Sequence, residues 1–296
     1  MSDRTLRVAR RAPFSNRADV RRAVRLALSA CVLVLLPQDA SAQNWQTVTA
    51  SRATNREELL RVDLEYGAGR LDIAPGTAGT LYRANMRFDA NSFRPRVTYA
   101  NNRLHVGVQG NDGKAHKPRN GHLDLKLAPN VPLDLELKFG AVEANLELGG
   151  LRIRRGEIST GASKTMLRFS RPNSERCELF ELHVGAAKFH AIGLGNLNAE
   201  RISLEGGVGE VVLDFTGTWR ADTQASVQMG LGSLTLQLPR RLGVRVSKEG
   251  FLAPFDSQEL VKRGNVFYSQ NWERAEHKLS LDIEAALGSI KVVWVD

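Results

Sequence analysis

The sequence predicts an all-β fold: a β-solenoid, β-helix-like stack of glycine-centred repeats about 22 residues long, with irregular capping segments. Three observations predict it: a recurring glycine, period-two alternation on either side of it, and a change of phase across it. An antiparallel sandwich is the alternative all-β arrangement. Turn signals recur about every 22 residues, however, rather than every 8 to 12.

The glycine is the most visible element. Leu-Glu-Leu-Lys-Phe-Gly140-Ala-Val is followed by Gly-Glu-Ile-Ser-Thr-Gly161-Ala-Ser, Phe-Glu-Leu-His-Val-Gly185-Ala-Ala, Ile-Ser-Leu-Glu-Gly-Gly207-Val-Gly and Ala-Ser-Val-Gln-Met-Gly230-Leu-Gly. These centres lie 21, 24, 22 and 23 residues apart. Val-Asp-Leu-Glu-Tyr-Gly67-Ala-Gly and Leu-Asp-Ile-Glu-Ala-Ala286-Leu-Gly share the pattern, the last with alanine at the centre.

The alternation comes next. Three residues before the centre stands Leu64, Leu137, Ile158, Leu182, Leu204, Val227 or Ile283. Four and six residues after it, apolar residues dominate, as in Leu71 and Ile73, Val211 and Leu213, or Leu234 and Leu236. Mostly polar residues fill the positions between, which is the pattern of strands with one buried face. Inward positions are odd before the centre and even after it. A strand cannot change face without an inserted residue, so each centre marks a bulge or corner. Glycine suits a corner through cheap positive φ and close backbone approach. Gly185→Val or Gly207→Val is therefore expected to destabilise the whole domain. Two residues after the centre, every copy but Val142 is very small: Gly69, Ser163, Ala187, Gly209, Gly232 and Gly288.

Such a repeat buries its apolar face only by stacking, each strand pairing with its equivalent one turn away. Between Gly67 and Gly140 the pattern loosens, and Val97–Val106 reads as a hairpin over Asn101-Asn102. After Leu238-Pro239 an irregular stretch runs to about Ala275 and carries Phe251, Phe255, Phe267, Tyr268 and Trp272, enough aromatic surface to cap an open end. Helical turns are expected at most over 56–60 and 257–263.

The N-terminus reads as an export leader. An arginine-rich region reaches Arg25, the apolar run Leu26–Leu36 follows, and after Pro37 the triplet Ala40-Ser41-Ala42 fits a signal-peptidase site. The 11-residue run is short for a membrane span of about 20. An uncleaved anchor and lipidation of Cys31 in Leu28-Ser29-Ala30-Cys31 are the alternatives, and Arg10-Arg11 and Arg21-Arg22 lack a convincing twin-arginine context. The domain reading is thus a signal peptide over 1–42, an N-terminal linker over 43–58 and a single β-repeat domain over 59–296. No later apolar segment is long enough to span a membrane.

Charge and cysteine content agree. Of the net charge of +9, five units come from residues 1–42, with eight arginines against three acids. The mild excess left on the remaining chain calls for no nucleic-acid partner. Once the leader is removed, Cys177 is the only cysteine, so no internal disulfide is available and a structural, half-buried thiol is expected.

At Leu64-Glu-Tyr-Gly-Ala-Gly-Arg-Leu-Asp-Ile73, Leu127-Ala-Pro-Asn-Val-Pro-Leu-Asp-Leu135, Gly140-Ala and Leu148-Gly-Gly-Leu151 the chain resembles the toast-rack-type, putative-adhesin repeat family of bacterial envelope proteins. That family is related to the extracytoplasmic part of the Lia envelope-stress accessory regulator. The resemblance covers roughly 59–296. It implies an extracytoplasmic β-repeat without established catalytic residues, so no site residue carries over. The stress regulator has several membrane spans, which this chain lacks.

The chemistry-bearing residues are sparse. Glu136, Glu143, Glu147, Glu205, Glu210 and Asp214 stand singly at polar positions, unlike the clustered carboxylates of a lyase. His183 and His190 flank Gly185 and, with Glu181, form the best metal-site candidate, at loose spacing. Lys114-Ala-His116-Lys117-Pro-Arg119-Asn-Gly-His122 is a compact basic loop without aromatics for base stacking. Gly67-Ala-Gly69 precedes a strand rather than a helix and so is no nucleotide-binding turn. No catalytic, cofactor or metal residues are predicted. The expected function is a non-enzymatic, exported envelope or surface interaction module, adhesin-like, in the periplasm or at the cell surface, facing an envelope protein or glycan. The alternatives are an accessory in envelope-stress sensing and, further off, a carbohydrate-active enzyme. Capture of a partner from envelope extracts separates them.

Overall fold

A computed structural model describes residues 44–110, 121–249, 254–256 and 259–296. The expected leader, including Cys31, lies outside the described residues, as do residues 111–120 of the basic loop. The described chain is all-β. Its strands are β1 (Trp45–Ala53), β2 (Leu60–Pro75), β3 (Thr80–Asp89), β4 (Phe93–Ala100), β5 (Arg103–Gly110), β6 (His122–Leu127), β7 (Pro132–Glu147), β8 (Arg152–Thr160) and β9 (Lys164–Arg168). They continue with β10 (Cys177–Ile192), β11 (Ala199–Asp214), β12 (Thr223–Pro239), β13 (Gly243–Glu249), β14 (Phe255–Asp256), β15 (Leu260–Arg263), β16 (Val266–Ser269) and β17 (Lys278–Val295). A single 3-10 turn, Leu194–Leu197, is the only helical element among the described residues.

The glycine-centred copies pair with one another in parallel and in register. β2 lies against β7, with Leu64 opposite Leu137. β7 lies against β8 before the corner and β9 after it, and both lie against β10. β10, β11, β12 and β17 follow as adjacent partners, with Leu182 opposite Leu204, Leu204 opposite Val227 and Val227 opposite Ile283. The aliphatic column three residues before the corner is thus continuous, and all seven of its members are 1% exposed or less. Fully burying each such side chain contributes about 1.5–3 kcal/mol, which anchors the register.

The change of phase is present in each copy. Along β10, Phe180, Leu182 and Val184 are buried before the corner and Ala187, Phe189 and Ala191 after it. The backbone strain, however, sits two residues beyond the predicted centre. Gly69, Gly209, Gly232 and Gly288 have φ between 121° and 148°, whereas the central glycines stay outside the left-handed region. Three centres are glycine for closeness instead: a Cβ at Gly140 would stand 2.4 Å from the Gly67 carbonyl oxygen, one at Gly185 2.8 Å from that of Gly161 and one at Gly230 2.7 Å from that of Gly207, whereas Gly67, Gly161 and Gly207 leave ordinary room.

Five departures from the expected layout have clear causes. The segment 43–58, expected to be a linker, contains β1, which pairs antiparallel with β3 from Trp45–Asp89 onward. The interval before Gly140 holds β5 and β6, which flank the two halves of β2 as a split copy broken at the corner. The stretch after Pro239 does the same at the other end, where β13 and β14 flank the two halves of β17. No helix forms over 56–60, where Arg56 adopts a left-handed φ of 60°. Leu260–Arg263 is a strand paired antiparallel with β16, not a helical turn. Because β1, β3, β4, β15 and β16 pair antiparallel, the described chain combines parallel copies with hairpin edges. The hairpin over Asn101 and Asn102 forms as expected, both residues at positive φ as a tight turn of the primed kind requires. Phe255 and Phe267 meet edge-on at 5.0 Å and pack against the core.

Candidate functional site

The alternation that builds the core also sorts the outer face into columns. Four residues before the corner, Asp63, Glu136, Glu157 and Glu181 stand opposite one another on consecutive strands. Neighbouring strands lie about 4.8 Å apart, so four carboxyl-bearing residues follow one another along the sheet. Arg103 and His105 approach Asp63 at 3.5 and 3.1 Å, and Lys138 pairs with Glu136. That hydrogen bond to Glu136 holds the Lys138 ammonium above its usual range. Sequence reading placed Glu136 among singly spread acids and Glu181 beside the histidines, and singled out neither Asp63 nor Glu157; aligning the copies on their corners and reading down one polar column exposes them.

Two residues before the corner, the column reads Glu65, Lys138, Ser159, His183, Glu205, Gln228 and Glu284. These side chains and the corner residues Gly67, Gly140, Gly161, Gly185, Gly207, Gly230 and Ala286 line one continuous groove of about 1320 Å³. Val108, Glu249 and the residues just before the corners, among them Tyr66, Phe139, Thr160, Val184 and Met229, complete its lining. Its glutamates are Glu65, Glu205, Glu249 and Glu284, against the single lysine Lys138, so its sign opposes that of the whole chain. One residue after the corner, Ala68 faces Ala141, Ala186 faces Val208, Val208 faces Leu231 and Leu231 faces Leu287. The last three are 52%, 48% and 51% exposed, an apolar ridge where polar residues would be expected.

A second recess of about 650 Å³ lies on the outer face beyond the corner. There His122 Nε2 is 2.7 Å from Asp72, whose other oxygen accepts a hydrogen bond from Asn145 Nδ2 at 3.0 Å. Lys126, Lys164, Arg168 and Lys188 share it with Asp124, Glu143 and Glu147.

The predicted candidates are dispersed between these sites. His183 lines the groove and lies 3.2 Å from Glu205, whereas His190 lines the second recess and lies 3.7 Å from Glu210. Among the described residues no three histidine, cysteine or carboxylate side chains converge as metal ligands. Asp214 is buried and caps its own turn, accepting from the Thr216 N–H at 2.7 Å. Cys177 is fully rather than half buried, and burial pushes its thiol up to about 12. At that value the nucleophilic thiolate is absent at neutral pH. No helix of the described residues is long and apolar enough to cross a membrane.

The family described as the N-terminal domain of toast_rack, DUF2154, matches residues 38–190 and again 177–237. Among solved structures, a putative cell adhesion protein from Clostridium sporogenes is similar at 14% identity and a TM-score of 0.43, over 85% of this chain and 100% of that one. A putative adhesin from Bacteroides fragilis is similar at 12% identity and 0.38, over 84% and 97%. A putative lipid binding protein from Parabacteroides distasonis is similar at 11% identity and 0.38, over 86% and 97%. No curated protein matches the chain.

Proposed function

The chain belongs to the toast-rack family, and from that premise we propose that it is a non-enzymatic interaction module of the cell envelope, adhesin-like. In this reading residues 1–42 direct export, and the repeats of 59–296 coil as a solenoid that presents flat outer faces in the periplasm or at the cell surface. The observation that carries it is the apolar ridge Val208, Leu231 and Leu287, half exposed beside a groove that passes all seven corners. Exposed apolar surface rimmed by polar residues marks interaction sites. The lining supports binding rather than turnover: its charged side chains stand one per strand along the groove, whereas catalysis needs them to converge on one reacting atom. Neither reactive thiol chemistry nor nucleic-acid contact is favoured by a buried Cys177 and a glutamate-lined groove.

The test is affinity capture with the full-length chain from envelope extracts, alongside a glycan array. Saturable retention of an envelope protein or glycan, reduced by Leu231→Ser, supports the reading. Turnover of a glycan, or retention indifferent to every outer-face substitution, overturns it.

A further inference from the structure

The groove along the corners has chemistry enough to name the class of its occupant, given the interaction-module reading on which this step rests. We propose that it takes an extended polypeptide segment carrying lysine or arginine together with apolar side chains.

Length argues first. Six steps separate Gly67 from Ala286 across seven adjacent copies, which at about 4.8 Å each gives roughly 29 Å. An extended chain advances about 3.3 Å per residue, so about nine residues fit. The floor argues next. Six of the seven corner residues are glycine and the seventh is alanine, so at the corners a guest backbone can approach closely, beside the nearly buried Tyr66, Phe139 and Met229. A helix, about 10 Å across, would gain nothing from such a floor.

Charge then selects the guest. Glu65, Glu205, Glu249 and Glu284 line the groove against Lys138, although the chain as a whole is basic. Behind that wall runs the column Asp63, Glu136, Glu157 and Glu181. Some of these carboxylates are already paired within the chain, Asp63 with Arg103 and His105 and Glu136 with Lys138, but the acids outnumber those partners and the strip favours a cationic guest. Anionic lipid, phosphate and acidic glycan are disfavoured by the same sign. The ridge supplies the last criterion. Val208, Leu231 and Leu287 are aliphatic and in register, a strip that suits the apolar side chains of a peptide.

Fluorescence anisotropy with the full-length chain tests this. The probes are two labelled peptides of about nine residues, one of lysine, leucine and serine, the other with glutamate for every lysine. The lysine peptide should bind at least about tenfold more tightly, and raising salt from about 0.05 to 0.5 M should weaken it at least about fivefold. Glu205→Lys with Glu284→Lys should weaken it at least about tenfold, and Leu231→Ser severalfold. Equal binding of the two peptides, binding of neither, or indifference to all these substitutions overturns the proposal. The comparison of peptides uses the unaltered chain and so does not depend on any variant folding. If the lysine peptide is ignored while envelope capture still succeeds, this inference falls and the interaction-module reading stands.

Discussion

At the scale of single residues, the repeats divide their demands between two glycine positions. A Cβ at Gly232 would lie 1.9 Å from the Gly209 carbonyl oxygen, at a φ of 144° that side-chain-bearing residues rarely adopt. A Cβ at Gly207 would lie 3.4 Å from the Gly185 carbonyl oxygen, with no unusual φ. Gly232→Ala should therefore cost about 3 kcal/mol or more, and Gly207→Ala no more than about 1 kcal/mol, as read from urea midpoints at constant m. Equal losses would show that the strain lies elsewhere. The buried thiol makes a second residue-scale prediction. Above about pH 9 an unfolded Cys177 gives up its proton, while the folded one keeps it up to about pH 12 because burial disfavours the thiolate. The unfolded state then binds fewer protons, so stability falls with rising pH by up to about 1.4 kcal/mol per unit for this group. Cys177→Ala should flatten the fall between pH 9 and 11 relative to the unaltered chain, whatever its constant packing cost.

At the scale of elements, the strands are joined by return turns that asparagines stitch to their neighbours. Asn173 is 2% exposed, and its Nδ2 donates to the carbonyls of Ile153 and Leu197 at 2.7 and 3.0 Å. Its Oδ1 accepts from the N–H groups of Ile153 and Glu175, each at 3.1 Å. Asn173→Leu has similar volume but abandons four backbone groups, three of them buried, so a loss of about 2–4 kcal/mol is expected from chemical unfolding. A loss under 1 kcal/mol would mean the turns hold without it. None of this was legible in the sequence, where Asn173 is one polar residue in Arg-Pro-Asn-Ser. What was legible has a local cause: the change of phase at the corners follows from alternation alone, and the Asn101-Asn102 turn follows from two residues tolerant of positive φ. The split copies β5/β6 and β13/β14 were hidden because they lack the corner glycine, since a chain broken at the corner needs no bulge there. The column Asp63, Glu136, Glu157 and Glu181 was hidden for another reason. Charges become neighbours only through register, and register is a property of pairs of strands rather than of any one segment.

At the scale of the whole molecule, parallel copies in register should behave as interchangeable units, and this tests the coiled reading directly. Arg201 faces Gln224 and Leu204 faces Val227, so β11 and β12 are offset by 23 residues. Deleting residues 200–222 would join Ala199 to Thr223 at the equivalent position and remove one complete copy with its return turn. In a solenoid β12 would then pair with β10, Phe180 meeting Ala225 and Leu182 meeting Val227 in the core, because neighbouring copies contact only each other. The shortened chain should keep its β-type circular dichroism and unfold cooperatively, with an m-value lower by the surface one copy contributes. Deleting only residues 204–214 removes about half a copy and sets the core positions of one half against the wrong partners. It should leave the chain unfolded or aggregated, because a change of register exposes the buried columns. If both deletions unfolded the protein, each copy would be irreplaceable and the solenoid reading would fail. If both folded, register would carry little of the stability that seven buried aliphatic residues in one column imply.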